Sequence, residues 1–254
     1  MAAFTRRAIL CVATALALPL ALTACSKRSD ETTVKAETAA PSGSAPGQHL
    51  ILSVSEGLQA PKELLGTLLV QQGAGTSVEL PWVQSVKREA PSGFEHLAVL
   101  AFADGASLEA WRSVHATQLV APLSLKQAQV LTKSAANASG SASAMFKISY
   151  YSLVAPVPKF QEWVDGYLTK YLEAQRSKGI LTSYVMYLED RGRALLVLEY
   201  PDAATEQSAE PIKEKLSEEL AASDPVYAQL MPLKEELRTT QSWTLAVPVT
   251  QTGS

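Results

Sequence analysis

The chain contains two copies of one pattern, Leu-x-Val-Leu-x-aromatic-x-Asp-x-Ala followed by a hydroxyl residue. The first copy spans Leu97–Ser107 and the second spans Leu195–Thr205, an offset of 98 residues. Pro61-Lys62 recurs as Pro158-Lys159 at an offset of 97 residues, and the turn glycine Gly93 recurs as Gly192 at an offset of 99. Because these places agree within two residues, we interpret the chain as a tandem duplication of a unit of about 100 residues, an ordinary domain size.

Each unit has the predicted order β-α-β-β-α-β. In the first repeat, helices are predicted over 61–72 and 107–119 and strands over 82–89 and 127–133, and in the second repeat a charged helix is predicted over 209–222. The first repeat covers 49–134 and the second covers 145–250, and the Ser- and Ala-rich segment 135–144 is a linker. The two motif strands are apolar at nearly every position, whereas a strand with one exposed face would alternate. We therefore expect each motif strand to be buried on both faces, with helices on one face and the sheet of the sister repeat on the other.

The first 48 residues are expected to lie outside this fold. Arg6 and Arg7 precede an apolar run, Ala8–Leu22, of signal-peptide length. The run ends in Leu22-Thr23-Ala24-Cys25, which resembles the bacterial lipobox. The resemblance implies a signal peptide over 1–24, lipidation of Cys25 and a disordered tether over 25–48. There are two alternatives. One is an ordinary signal peptide, and the other is export by the twin-arginine route, because Thr5–Leu10 is similar to a twin-arginine signal.

The lipobox resemblance also implies a location. Ser26 follows the lipidated cysteine, and by the rule for Gram-negative lipoproteins a residue other than aspartate there implies the outer membrane. We expect a chain anchored by lipid at the periplasmic face of that membrane. Cys11 and Cys25 are the two cysteines of the sequence, so processing would leave no thiol for a disulfide, a metal or a nucleophile.

Charge and motifs exclude several classes of function. The net charge is −3, so the chain lacks the basic footprint of a nucleic-acid-binding protein. No H-E-x-x-H, C-x-x-C, Walker loop or G-x-S-x-G occurs in the sequence. Zinc-site, nucleotide-binding and classical hydrolase interpretations therefore have no support, and no metal is predicted.

The strand order, the motif strand entering an Asp-x-Ala-Ser turn and the helix that bears Trp111 resemble the dimeric α/β-barrel superfamily of ferredoxin-like domains. Antibiotic-biosynthesis-monooxygenase-like and NIPSNAP-like proteins belong to it. In that superfamily two domains pack sheet to sheet, usually as a dimer. The resemblance covers about Leu50–Val249 and implies an α+β fold with two tandem ferredoxin-like repeats. The chain would then be a monomer that forms a single-chain pseudo-dimeric α/β barrel.

His115 is the candidate catalytic residue. Leu108, Trp111 and His115 share one face of the predicted helix 107–119, so His115 can point inward. Trp111–His115 is similar to a Trp-x-Ser segment of superfamily members, some of which degrade haem with a histidine on this helix while others oxidise quinol-like substrates without a cofactor. The resemblance implies haem as a candidate cofactor and Trp111 as a ligand-binding residue. The alternative is a core histidine, since the second repeat has Lys213 at the equivalent position.

Glu199 is the second candidate ligand-binding residue. It interrupts the second motif strand where the first copy has Ala101. We expect its carboxylate to project into a cavity between the sheet and the helices, where a buried carboxylate can mark a functional site. A strand-end glutamate that is paired with a basic residue or exposed to water is the alternative.

Three hypotheses for function follow from these features. The first is a non-enzymatic envelope lipoprotein that binds a small apolar molecule or a partner protein and uses no cofactor. The second is a cofactor-free or haem-linked oxidoreductase of the monooxygenase-like type that uses His115. The third is a purely structural envelope factor. Of these, the non-enzymatic hypotheses are preferred, so we expect a chain that is not an enzyme.

Overall fold

Eight antiparallel strands close on themselves to form a barrel. The computed structural model describes residues 48–55, 67–68, 75–89, 94–119, 121–135, 138, 141–189 and 192–249, all within the unit Gly43–Ser254. The strands are β1 (Gln48–Val54), β2 (Thr76–Glu89), β3 (His96–Phe102), β4 (Leu123–Lys133), β5 (Met145–Leu153), β6 (Ser183–Glu189), β7 (Arg193–Tyr200) and β8 (Arg238–Pro248). Their order around the barrel is β1-β3-β2-β8-β5-β7-β6-β4.

The two halves of the chain contribute four neighbouring strands each. The first half has the order β4-β1-β3-β2 and the second has the matching order β8-β5-β7-β6. Two hydrogen-bonded seams join the halves, β2 with β8 and β4 with β6. The predicted α+β class is confirmed. The halves meet edge to edge as well as across the interior, and within the described residues the closed barrel leaves no strand of the sheet unpaired at an edge.

The two motif strands, β3 and β7, are buried on both faces as predicted. Leu97, Val99, Leu195 and Val197 face the barrel interior and belong to one hydrophobic cluster. On the opposite face of β3, Ala98 and Leu100 pack in an outer cluster beneath a helix. The outward residues of β7, Ala194 and Leu196, pack in the corresponding cluster of the second half.

The Asp-x-Ala-hydroxyl part of the repeated motif is a helix cap. Helix α1 (Gly105–His115) begins after Asp104, whose Oδ1 accepts a hydrogen bond of 2.7 Å from the Ser107 backbone N–H. Helix α4 (Ala203–Ser208) begins after Asp202, which accepts the Thr205 N–H at 2.7 Å in the same way. Each aspartate satisfies an N–H of the first turn that has no partner within the helix.

The long aromatic helix of the second half is interrupted by a π-helical turn. Helix α2 (Val157–Trp163) continues through the π turn Val164–Leu168 into α3 (Thr169–Ser177). Gly166 lies in that turn, and a Cβ on it would stand 2.3 Å from Leu230 Cδ1. The missing side chain therefore lets α6 (Pro225–Leu230) approach closely.

The remaining helices follow α4. They are α5 (Glu210–Ser223), a 3₁₀ turn (Met231–Leu233) after α6, and α7 (Lys234–Leu237). The charged helix predicted over 209–222 is confirmed as α5, whereas α4 was not predicted. Among the described helices, none combines the length and the hydropathy that a membrane crossing needs.

Several boundaries differ from the prediction. Strand β2 begins at Thr76 instead of Trp82, because its register shifts at three places and the polar-apolar alternation is lost. Helix α1 ends at His115 instead of Leu119, and β4 begins at Leu123 instead of Gln127. Of the helix predicted over 61–72, only Thr67 and Leu68 lie within the described residues, and both are helical. The signal segment, Cys25 and nearly all of the tether lie outside them.

Candidate functional site

A cluster of charged side chains lies inside the barrel, where the sequence predicted only apolar packing. His49 Nε2 lies 2.7 Å from Glu79 Oε2. The other carboxylate oxygen, Glu79 Oε1, accepts a hydrogen bond of 3.0 Å from Lys133 Nζ. The residues come from β1, β2 and β4, which lie within four neighbouring strands of the barrel. One buried carboxylate thus holds an imidazole on one side and an ammonium on the other.

Strand geometry explains why His49 points inward. Side chains alternate along a strand, and Ile51, two residues further along β1, belongs to the interior cluster. The His49 ring also contacts the ring of Tyr187, another interior residue, with centroids 5.6 Å apart. His49 and Glu79 are each 6 % exposed. The imidazole and its carboxylate partner are therefore largely removed from water.

The electrostatics of the cluster depend on Glu79. Burial by itself would raise the pKa of the Glu79 carboxyl, but hydrogen bonds and charges from His49 and Lys133 outweigh it and hold the pKa below its ordinary value. Burial, and then the negative charge of Glu79, raise the pKa of the Tyr187 phenol well above its usual range. At neutral pH Glu79 is an anion beside a phenol that stays neutral.

The contact with Glu79 leaves one nitrogen of His49 available. When the imidazole is neutral, a proton on Nε2 faces the carboxylate and leaves a lone pair on Nδ1. Nδ1 is buried and has no hydrogen-bond partner among the described residues. A carboxylate that orients an imidazole whose second nitrogen is free is the arrangement of a general base.

A cleft of about 580 Å³ opens beside this cluster. His49 and Lys133 line it, and Ala101 and Val130 supply apolar wall. Ala101 pairs with His49 across β1 and β3, so its small side chain leaves space next to the imidazole. The Lys133 side chain is 47 % exposed and can meet a ligand without losing Glu79. The cleft combines an apolar surface with one cation and one base, as ligand sites commonly do.

His115 and Trp111 lie on the other side of the sheet. Trp111 packs edge-on against Phe102 and tilts over His115, with ring centroids 5.8 Å and 4.7 Å apart. Trp111 and the outward residues of β3 belong to the cluster outside the barrel. His115 Nδ1 is 2.7 Å from Gln118 Oε1, and the side chain is 1 % exposed. Helix α1 therefore brings the two predicted residues together, and their roles in catalysis and binding stay predictions.

Glu199 does not project between the sheet and the helices, and that expectation is wrong. It alternates with Val197 on β7 and so faces the barrel interior. Its Oε2 accepts a hydrogen bond of 2.6 Å from Ser183 Oγ, and the residue is 1 % exposed. The sheet separates Glu199 from Trp111 and His115. Its role in ligand binding remains a prediction, but the carboxylate lies inside the barrel and not between the sheet and the helices.

The sequence contained one signal for the site that was missed. At the offset of 97 residues, His49 corresponds to Phe146, and both lie at inward positions of equivalent strands. A polar residue that replaces an aromatic one at an inward position marks a polar interior. Glu79 and Lys133 gave no comparable signal, because Glu79 lies in the irregular part of β2 and Lys133 ends β4.

The described part of the chain contains no group of three or more His, Cys, Asp and Glu side chains arranged to hold a metal ion. The cluster consists of one imidazole, one carboxylate and one ammonium. Groups of these three kinds can transfer a proton or bind an anion.

Comparison with known proteins identifies the fold. No protein-family model and no curated protein matches the chain. A candidate monooxygenase from Lactobacillus acidophilus NCFM matches with a TM-score of 0.52 and 11 % identity, over 80 % of this chain and 97 % of that chain. An anthrone oxidase-like protein matches with a TM-score of 0.47 and 9 % identity, over 79 % and 92 %. LmHde, a heme-degrading enzyme from Listeria monocytogenes, has a TM-score of 0.41 and 9 % identity, over 80 % and 99 %.

At these identities the likeness shows the fold alone. The structure that matches with a TM-score above 0.5 agrees with the dimeric α/β-barrel architecture that the sequence resembled. The other two are too distant to support an argument.

Proposed function

We propose that this barrel is a small-molecule enzyme of the cofactor-independent monooxygenase kind, and that its reaction takes place in the 580 Å³ cleft. The observation that carries the proposal is the buried pair of His49 and Glu79, 2.7 Å apart, whose imidazole belongs to the wall of that cleft. The monooxygenase description of the Lactobacillus acidophilus protein supports the reaction class. We therefore favour the oxidoreductase, the second of the three hypotheses, over a non-enzymatic binding protein.

Each residue of the cluster has a distinct part in the first step. Glu79 fixes the ring orientation and keeps the proton of the neutral imidazole on Nε2. Nδ1 then accepts a proton from an acidic O–H or C–H group of the bound molecule. Glu79 stabilises the imidazolium that forms, as a carboxylate does behind a catalytic histidine.

Lys133 stabilises the other product of the proton transfer. Its ammonium carries a full positive charge at the edge of an apolar cleft, where charge interactions are stronger than in water. The organic anion that remains is electron-rich, and dioxygen, the second substrate, adds to its carbon to form a peroxide. The O–O bond then breaks, so that one oxygen atom stays on the product as a carbonyl and the other leaves as water. The charged cluster beside the cleft also favours a role in handling a ligand over a purely structural role.

Oxygen uptake tests the proposal. We expect the complete chain to consume dioxygen in the presence of phenols, hydroquinones or anthrones, and His49→Gln to lower the rate by at least about 100-fold, the usual contribution of a general base. His96→Gln is the matched control, because His96 is also a strand histidine but lies outside the cluster. Equal rates for His49→Gln and the unmodified chain would contradict the proposal.

Haem is the cofactor that the second hypothesis added, and the described residues do not fit it. One observation favours haem: His115 Nε2 is buried without a partner among the described residues. Against it, the His115 ring lies against Trp111 and its Nδ1 is 2.7 Å from Gln118 Oε1. A porphyrin needs a slot beside its axial ligand, and these two side chains occupy the space next to the imidazole.

A haem titration checks that conclusion. We expect no change in the Soret absorption that depends on His115, so the unmodified chain and His115→Ala should give superimposable titrations. Stoichiometric uptake that the substitution abolishes would show that the residues around His115 open to admit the cofactor.

Two further features of the whole chain are part of the proposal. We propose that the matching strand orders of the halves reflect a duplication, so that one chain acts as a pseudo-dimer and is a monomer in solution. The repeated Asp caps and the offset of 98 residues support this.

We also propose that Cys25 is lipidated and holds the barrel at the periplasmic face of the outer membrane. The Leu22-Thr23-Ala24-Cys25 sequence supports this.

A further inference from the structure

We propose that the ligand of this barrel is an aromatic carboxylic acid with two hydroxyl groups. Its carboxylate would meet Lys133 in the 580 Å³ cleft, and its hydroxyls would enter a second cavity between His49 and Glu189. This inference rests on the proposed function for the place of the site. It adds the substrate class, which can be tested by binding alone.

The second cavity has a volume of about 200 Å³ and lies on the β1, β4 and β6 side of the barrel. Ala128 on β4 pairs with His49 on β1 and with Glu189 on β6, so the three residues lie side by side. His49 lines both this cavity and the 580 Å³ cleft. A single molecule lying against the imidazole can therefore reach both spaces.

Two buried polar atoms belong to residues that line the second cavity and have no partner among the described residues. They are Glu189 Oε1 and His49 Nδ1. Glu189 is 4 % exposed and His49 is 6 % exposed. The carboxylate oxygen requires a donor, and a hydroxyl can meet the imidazole nitrogen either as a donor or as an acceptor. Buried polar atoms of this kind are normally satisfied, so the missing partners point to a ligand.

The charges around Glu189 decide which donor fits. Its Oε2 lies 3.3 Å from Lys126 Nζ and 3.7 Å from Arg193 Nε. Two cations already face this carboxylate, so a metal ion or an ammonium group would be repelled. A neutral hydroxyl donates without adding charge. One hydroxyl can satisfy one of the unpartnered atoms, so two hydroxyl groups satisfy Glu189 Oε1 and His49 Nδ1.

The residues of the 580 Å³ cleft indicate which group the other end of the ligand carries. Lys133 lines the cleft with its side chain about half exposed, whereas its partner Glu79 is not part of the cleft wall. An incoming carboxylate therefore meets the cation without facing the buried anion. Ala101 and Val130 supply an apolar wall, which suits an aromatic carbon frame between the two polar ends.

Calorimetric titration of the complete chain tests the inference with three probes. These are a dihydroxybenzoate with its hydroxyls on neighbouring ring carbons, a monohydroxybenzoate and benzoate. We expect affinity to fall in that order, by at least about tenfold from the first to the last, because a site built to bind hydroxyls rejects the analogue that lacks them. We expect Lys133→Met to weaken all three.

Glu189→Leu should remove most of the preference for the dihydroxy compound while leaving benzoate binding unchanged, because leucine has no hydrogen-bond acceptor. Lys126→Met is the matched control, because it removes a charge next to Glu189 but leaves the unpartnered oxygen in place, and it should keep the preference. A circular dichroism melt shows whether each variant is folded. If Glu189→Leu is unfolded, the three affinities of the unmodified chain still decide, since their order needs no variant.

Equal affinity for the three probes, or no binding by any of them, would overturn the inference. A clear preference for the dihydroxy acid without oxygen uptake would support the substrate class and contradict the proposed reaction. Oxygen uptake with phenols that lack a carboxylate, together with equal affinity for the three acids, would support the proposed reaction and contradict the substrate class.

Discussion

Glu79 shows how a single buried charge can organise a site. Its carboxylate is 6 % exposed and holds both His49 and Lys133. Removing one member of a buried charged group leaves the others without compensation, which is costly even where forming the group gains little. Lys133 can turn to solvent, whereas the imidazole of His49 cannot. The residue therefore matters for stability as well as for the proposed chemistry.

We expect Glu79→Gln to lower the free energy of unfolding at neutral pH by about 2–3 kcal/mol, somewhat less than the full cost of breaking a buried pair because Lys133 is half exposed. Chemical denaturation measures the change. Glu95→Gln, a carboxylate at the edge of β3, is the control and should have a small effect.

The same residue predicts a pH dependence. The pKa of Glu79 lies below its ordinary value of 4.5 in the folded chain, so its contribution is present above that value and is lost as the pH falls through the folded pKa. We expect the stability difference between the unmodified chain and Glu79→Gln to shrink below about pH 4.5. Denaturation curves between neutral and acidic pH measure it, and a difference that grows in acid would contradict the assignment.

At the scale of elements, the repeated motif joins a buried strand to a capped helix. The strand part supplies apolar residues to both faces of the sheet, and the Asp that follows accepts the N–H of the third residue of α1 or α4. Backbone hydrogen bonds from Ser107 and Thr205 lower the pKa of Asp104 and Asp202. The motif is thus conserved between the copies for reasons of folding, and it marks neither copy as the functional one.

We expect Asp104→Ala to lower the thermal midpoint, because α1 loses its cap and the negative charge near its N-terminus. Asp104→Asn should retain most of the stability, since asparagine caps as well as aspartate. Thermal unfolding followed by circular dichroism compares them. Equal losses for alanine and asparagine would mean that charge, and not the capping hydrogen bond, is what matters.

The sequence predicted elements better than it predicted the site. Apolar runs and an Asp turn are local features, so the motif strands and α5 could be placed from them. His49, Glu79 and Lys133 are far apart in the sequence and meet only because the barrel closes. The face of Glu79 could not be assigned because bulges in β2 break the alternation, and Glu199 was misplaced because an unbroken apolar strand does not show which face is the interior.

At the scale of the whole molecule, the charged cluster lies inside the barrel. The predicted lipid anchor, Cys25, precedes the barrel in the sequence. Residue 48, where the described part begins, is also the first residue of β1, and His49 follows it directly. The chain that would lead from a lipidated Cys25 therefore enters the barrel at the proposed site.

Labelling with a palmitate analogue tests the anchor. We expect the complete chain to incorporate the label and to fractionate with the outer membrane, and Cys25→Ser to do neither. Cys11→Ser is the matched control and should behave like the unmodified chain, because Cys11 lies within the segment that is expected to be removed. Label retained in Cys25→Ser would contradict lipidation at this residue.

The two seams have a consequence for the order in which the barrel can form. During synthesis, the first half emerges with the edges of β2 and β4 unpaired, and their partners β8 and β6 are made later. The seam of β2 with β8 joins an early strand to the last strand, and such distant pairings slow folding. Until β8 arrives, the open edges can pair with those of another chain. A ribosome stall shortly before residue 238 would therefore produce the species of this protein that is most prone to aggregate.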